Sequence, residues 1–224
     1  MASSNANSDS VQEPNELSLT SPSSPSLQIS VRRDGMHDLQ LFSVEDPTPL
    51  YHVRNKVFCL KVPAVTLIAG DRKAQGGVIG VCHFAAFSTT IAVGQGNPTL
   101  NPNDVQWETM VKISRDHSVY EFSFVEGAEE RRSYRWKRTH NPELKGTSST
   151  KWNMRSWKLE ESVTGQVVAV FAAYKISYGE EAGRLKLIAG KGEEWERWIL
   201  LTYLGLSEKA RRRAMARRDL SWFV

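Results

Sequence analysis

The sequence predicts a mainly β fold: a closed antiparallel β-barrel of about twelve strands around a central, apolar C-terminal α-helix. Three observations predict it. Short runs of alternating or β-branched residues recur from Leu27 to Ile188 at the roughly 8–12-residue spacing of a sandwich or barrel. A single convincing helical pattern follows, starting at Glu193. Across residues 198–206 that helix is apolar on nearly every side, so it must be enclosed rather than laid on a surface.

The elements follow in order. Residues 1–26 are rich in Ser and Pro with almost nothing apolar to bury, and read as a disordered tail. Leu27–Val31 alternates, and Leu39–Val44 reads as a strand before the turn Asp46-Pro47-Thr48-Pro49. Leu50–Val53, Val57–Val62 and Val65–Ile68 continue the pattern, with Gly70-Asp71 and Gln75-Gly76-Gly77 as turns. The uncharged stretch Gly77–Gly94 approaches the length of a membrane-spanning helix. Its three glycines, His83 and Ser88-Thr89-Thr90 favour two strands with a turn near Phe87–Thr89 instead. Val105–Ser114, Val119–Val125, Arg131–Arg138, Arg155–Glu160, Val167–Lys175 and Arg184–Ile188 complete the strands. Polar, turn-rich loops occupy Gln95–Asp104 and His140–Lys151.

The helix is expected over about 193–216. Glu193, Glu194 and Glu196 fill its first turn and arginines its last, both complementing the helix dipole. Only Thr202 and Gly205 break the apolar surface of 198–206, which is too little for a helix docked on one face of a sandwich. The barrel domain is thus expected over 27–218, with a short tail at 219–224.

The 224 residues suffice for one domain or two small ones. At 40% hydrophobic and 24% charged they suit a soluble globular protein and exclude a wholly disordered or collagen-like chain. Cys59 and Cys82 are too few for a disulfide framework, and Cys82 beside His83 reads as a buried strand cysteine, which fits a reducing compartment. Residues 1–26 carry no Lys or Arg and no apolar core of a signal peptide. The expected location is intracellular, cytoplasmic or at a membrane periphery, with the nucleus open. The net charge of +4 hides an asymmetry. The tail holds three acids, Asp9, Glu13 and Glu16, so the remainder carries +7.

Residues 41–46 (LFSVED) and 49–53 (PLYHV) open a pattern that continues with YRWKR at 134–138, WKLE at 157–160 and VAVF at 168–171. ILLT at 199–202 precedes Arg211-Arg212-Arg213. Together these resemble uncharacterised fungal proteins of the tubby C-terminal-like superfamily, which includes phospholipid scramblases and the plant LURP-one-related proteins. The resemblance spans roughly residues 36–215, and its motifs are structural. It implies a barrel around a C-terminal helix and a binding or scaffold role, since tubby domains are known for phosphoinositide binding. The lipid-binding basic residues of tubby domains do not map onto this chain position by position, and no calcium-site motif of the scramblase kind occurs.

No catalytic constellation stands out, and no cofactor is expected. His37, His52, His83, His117 and His140 are scattered, and no H-E-x-x-H, G-x-S-x-G or Walker A motif occurs. Gly190-Lys191-Gly192 precedes the helix, but Trp195 stands where a dinucleotide fingerprint needs glycine, and Glu193 and Glu194 would repel a phosphate; it reads as a tight turn. Two basic clusters remain. Residues 129–158 hold nine cations against three acids. Strand alternation puts Tyr134 and Trp136 on the core face and Arg131, Arg135 and Lys137 outside. Lys209, Arg211, Arg212, Arg213, Arg217 and Arg218 form the second cluster, beyond which Trp222-Phe223 can insert at an interface.

The candidate anion- or lipid-binding residues are therefore Arg131, Arg135, Lys137, Arg211, Arg212 and Arg213. Each cluster also has a plain reading, as a solvated strand face or a helix end facing its own dipole. The expected function is a non-enzymatic domain that binds anionic phospholipid, or a protein, at a membrane surface. A nucleic-acid-binding module is the alternative, weakened because its Trp residues face inward and cannot stack on bases. An apolar-ligand carrier is a third class, in which the central helix would occupy the cavity.

Overall fold

The computed structural model describes residues 26–56, 62–70, 77–85, 88–126, 130–140, 156–174, 181–188 and 191–220. All of the expected tail 1–26 except Ser26, which starts the first strand, most of the strand 57–62, most of the loop 140–151 and Trp222-Phe223 lie outside them. The described strands are β1 (Ser26–Asp34), β2 (Asp38–Ser43), β3 (Pro49–Asn55), β4 (Val65–Ala69), β5 (Val78–His83) and β6 (Ile91–Gln95). They continue with β7 (Gln106–Lys112), β8 (Val119–Glu126), β9 (Glu130–Arg138), β10 (Trp157–Glu161), β11 (Val167–Ala173) and β12 (Glu181–Ile188). One helix follows, α1 (Glu193–Leu220), four residues longer than expected.

Every strand pairs antiparallel with its neighbour in sequence, and β1 pairs with β12, from Ser26↔Ile188 to Arg32↔Glu181, which closes the barrel. Closure leaves no sheet edge. The stretch 77–94 supplies β5 and β6 as expected. No described helix is long and apolar enough to cross a membrane.

The strands turn their apolar rows onto α1. Tyr120, Phe122 and Phe124 of β8, Tyr134 and Trp136 of β9, Trp157 and Leu159 of β10, and Leu185 and Leu187 of β12 are buried with Trp195, Trp198, Ile199, Leu200, Leu201, Tyr203, Leu204 and Leu206. The two polar-looking breaks in the helix have separate explanations. Thr202 is buried, donates its hydroxyl to the Ile199 carbonyl at 3.0 Å and accepts the Trp136 indole N–H at 3.0 Å. Gly205 lets β5 and β6 come close, for a Cβ there would sit 3.1 Å from both Cys82 Sγ and Ile91 Cγ2.

The helix does not run down the barrel axis. Its backbone approaches β4, β5 and β6 most closely. Gly80 makes this possible, since a Cβ on it would lie 2.5 Å from Leu201 Cδ1. The opposite wall stands farther off and is filled by large rings. Phe122, Phe124 and Tyr134 stack on one another, Phe124 stacks on Trp198, and Phe171 meets Tyr203 with ring centres 4.3 Å apart.

Candidate functional site

The two barrel ends differ, and β9 shows how. Its inward row reads Arg132, Tyr134, Trp136, Arg138 by strict alternation. The rings lie in the core, and one arginine stands at each end.

At the end where α1 begins, Arg132 and Lys191 both meet carboxylates. Arg132 lies 3.1 Å from Glu161, 2.8 Å from Glu130 and 3.5 Å from Glu126. Tyr134 donates its hydroxyl to Glu126 at 2.6 Å and accepts the Trp195 indole N–H at 3.1 Å. Lys191 donates to Glu126 at 3.1 Å. Burial opposes ionisation of Glu126, but the Tyr134 hydroxyl and the Lys191 ammonium outweigh it and hold the carboxyl below its ordinary range. Burial and the Glu126 carboxylate together push the Tyr134 phenol well up.

At the other end, past Leu206, a cavity of about 440 Å³ opens beside α1. It lies on the side away from β5 and β6. Trp157, Phe171, Tyr203 and Leu204 give it an apolar wall, and Arg33, Arg138, Arg211 and Arg213 line it with His37 and His117. Among the described residues three carboxylates also line it, and all are engaged. Glu208 is buried and receives Arg211 at 2.6 and 2.8 Å and Arg212 at 2.7 Å. Asp38 accepts the Asn55 backbone N–H at 3.0 Å. Asp116 accepts the Ser118 hydroxyl at 2.7 Å and its N–H at 3.2 Å; bonds from Ser118 and Ser114 lower its carboxyl to about 2.

The guanidinium groups are matched unequally. Arg211 is spent on Glu208. Arg213 donates to the Tyr120 hydroxyl at 2.6 Å and lies 2.9 Å from His117 Nδ1. Arg138 donates to the His117 carbonyl at 3.3 Å and lies over the Trp157 ring at 5.4 Å, with its Nε buried and lacking an acceptor among the described residues. Neither has a carboxylate partner among the described residues, and nor does Arg33. His117, between Arg138 and Arg213, holds a left-handed backbone at φ 61°, strain of the kind that collects at functional sites.

The sequence-predicted cations divide accordingly. Arg131, Arg135 and Lys137 do point outward on β9, but each meets a carboxylate on another strand: Glu108 on β7, Glu121 on β8 and Glu160 on β10. Lys158 shares Glu160 at 2.8 Å. Arg211 and Arg212 share the single carboxylate of Glu208, and Arg212 also donates to the Lys56 carbonyl. Arg213 alone of the six faces the cavity without a described carboxylate. The side chains of Arg217 and Arg218 lie outside the described residues.

Arg33 is absent from the sequence-predicted candidates and Arg138 counts only as one cation of the 129–158 cluster, although period-two counting from Ile29 and Val31, and from Tyr134 and Trp136, places both on inward rows. His52 was also missed as a buried group: its Nδ1 lies 3.5 Å from Asp34 and its Nε2 3.7 Å from Asp38. Arginine stays charged throughout the physiological range, and its planar fork matches carboxylate and phosphate oxygens. The open end is therefore suited to holding an anion.

No family model and no curated protein matches the chain in sequence. In three dimensions it is similar to a protein from Arabidopsis thaliana solved by X-ray crystallography, with a TM-score of 0.50 and 13% identity over 80% of this chain and 89% of the other. That likeness fits a tubby-like barrel fold and extends to nothing else.

Proposed function

We propose that the chain is a non-enzymatic member of the tubby C-terminal-like superfamily, of the fungal type its motifs resemble, and that it binds anionic phospholipid at a membrane surface. The open barrel end makes the contact. One observation carries this reading: Arg33, Arg138 and Arg213 meet at that end without described carboxylate partners, whereas the outward cations of β9 are matched. Exposed Met36 and Met215 flank the same end and offer apolar contact with the lipid boundary. Each cation near an anionic bilayer contributes about 1 kcal/mol, so three supply about 3 kcal/mol before salt screening. A nucleic-acid partner fits less well, because Trp136 and Trp157 are buried and unable to stack on bases.

Vesicle flotation tests the proposal. The protein should float with phosphatidylcholine vesicles containing phosphatidylserine or a phosphoinositide, remain behind with pure phosphatidylcholine, and lose binding at high salt. No flotation with anionic vesicles at low salt would sink it.

A further inference from the structure

The cavity asks for more than a charged surface. We propose that it is a one-to-one site for a single-chain anionic amphiphile, with a carboxylate or phosphate-monoester head at Arg138, Arg213 and Arg33 and an alkyl or aryl body against Leu39, Ala173, Ala182 and Ala214. The proposal deepens the membrane reading and rests on it for the sign of the ligand's charge.

Size comes first. A central helix was expected to fill the barrel, yet about 440 Å³ remains, within the roughly 300–1,000 Å³ of small-molecule sites. Polarity comes second. A headgroup resting on the outside would need only surface cations. Here the arginines stand beside half-buried Leu39, Ala173, Ala182, Ala210 and Ala214, which line the cavity above the buried rings of Trp157, Phe171 and Tyr203. A ligand that satisfies both features has a charged head and an apolar body. The third point is the state of Arg138. Its guanidinium lies over Trp157 and its Nε–H is buried without an acceptor among the described residues, an expensive arrangement that a ligand oxygen would relieve. Arg213 stands on the other side of His117 and brings a second fork to the same mouth. The lining carboxylates are turned to Arg211, Arg212, Asn55 and Ser118 and leave these two forks uncontested.

The test is calorimetric titration of the full chain with dodecyl phosphate and dodecanoate below their micelle concentrations. Dodecanol, dodecyltrimethylammonium and inorganic phosphate serve as comparisons. Both anions should bind with a stoichiometry of one, and each comparison compound at least about tenfold more weakly. Arg138→Gln should weaken dodecyl phosphate at least about tenfold and leave dodecanol unchanged. Arg33→Gln gives the same readout should R138Q lower the melting temperature. Ala214→Phe, which fills the cavity from α1, should abolish binding of both anions. Equal binding of dodecanol, equal binding of inorganic phosphate, or indifference to both arginine substitutions would overturn the proposal. Flotation separates this outcome from the membrane reading. Vesicle binding without dodecyl phosphate binding overturns the cavity site alone. Dodecyl phosphate binding without vesicle binding supports a site loaded from water and overturns the membrane reading.

Discussion

A methyl group added to Gly80 measures how closely the barrel grips its helix. The new Cβ would stand 2.5 and 2.7 Å from the two Leu201 methyl carbons, inside any tolerable contact, and Leu201 is wholly buried. Gly80→Ala is thus an overpacking substitution, expected to cost about 1–3 kcal/mol. Leu201→Ala removes a buried side chain and should cost about 2–5 kcal/mol. Combined, the new methyl enters the space that Leu201 vacates. The double variant should then be more stable than the summed single effects by about 1–2 kcal/mol. In a domain of this size each kcal/mol moves the melting temperature by about 2–4 °C, so the coupling is visible in thermal melts and in urea titrations. Additivity within about 0.5 kcal/mol would show that the two residues do not touch, and α1 would not lie against β5 as described.

Two further outcomes follow from the same packing. Thr202→Val strips the Trp136 indole N–H of its buried acceptor and should cost about 1–3 kcal/mol by chemical denaturation; Trp136→Phe should cost less in that background than in the unmodified chain, and a neutral T202V would contradict the hydrogen bond. Lys209 donates to the Ser88 and Thr90 carbonyls at 3.0 and 2.8 Å, and burial, reinforced by Arg213 and Lys112, lowers its ammonium to about 8. An unfolded lysine titrates near about 10.4, so between those values the unfolded chain binds the extra proton and stability should rise with pH. Lys209→Met should flatten that rise in urea titrations from pH 8 to 10, and an unchanged slope would acquit Lys209.

The barrel was legible because its signals are local. Tyr134 and Trp136 on one side of β9, and apolar residues all round 198–206, required an enclosed helix and strands curved about it. Even the exceptions yield to single contacts, Thr202 to Trp136 and Gly205 to Cys82. What stayed hidden depends on residues far apart in the chain. Arg131, Arg135 and Lys137 were placed on the correct face, but their neutralisation by Glu108, Glu121 and Glu160 depends on how strands pair. The off-centre helix depends on Gly80 meeting Leu201, and it creates the room for a cavity that alternation alone would close. Arg33 and Arg138 were within reach, since both continue apolar rows; charge made them look like surface residues. Their position at the rim follows only once the barrel's length is known.

Two triple variants in one flotation assay test the functional account most directly. Arg33, Arg138 and Arg213 are changed to Gln in one, and Arg131, Arg135 and Lys137 in the other. Both lose three charges, so long-range attraction to the vesicle falls equally. The account predicts that the first triple loses flotation with phosphatidylserine vesicles and that the second retains most of it. Equal loss in both, or loss only in the second, would return the interface to the outward face of β9 and contradict the assignment to the open end.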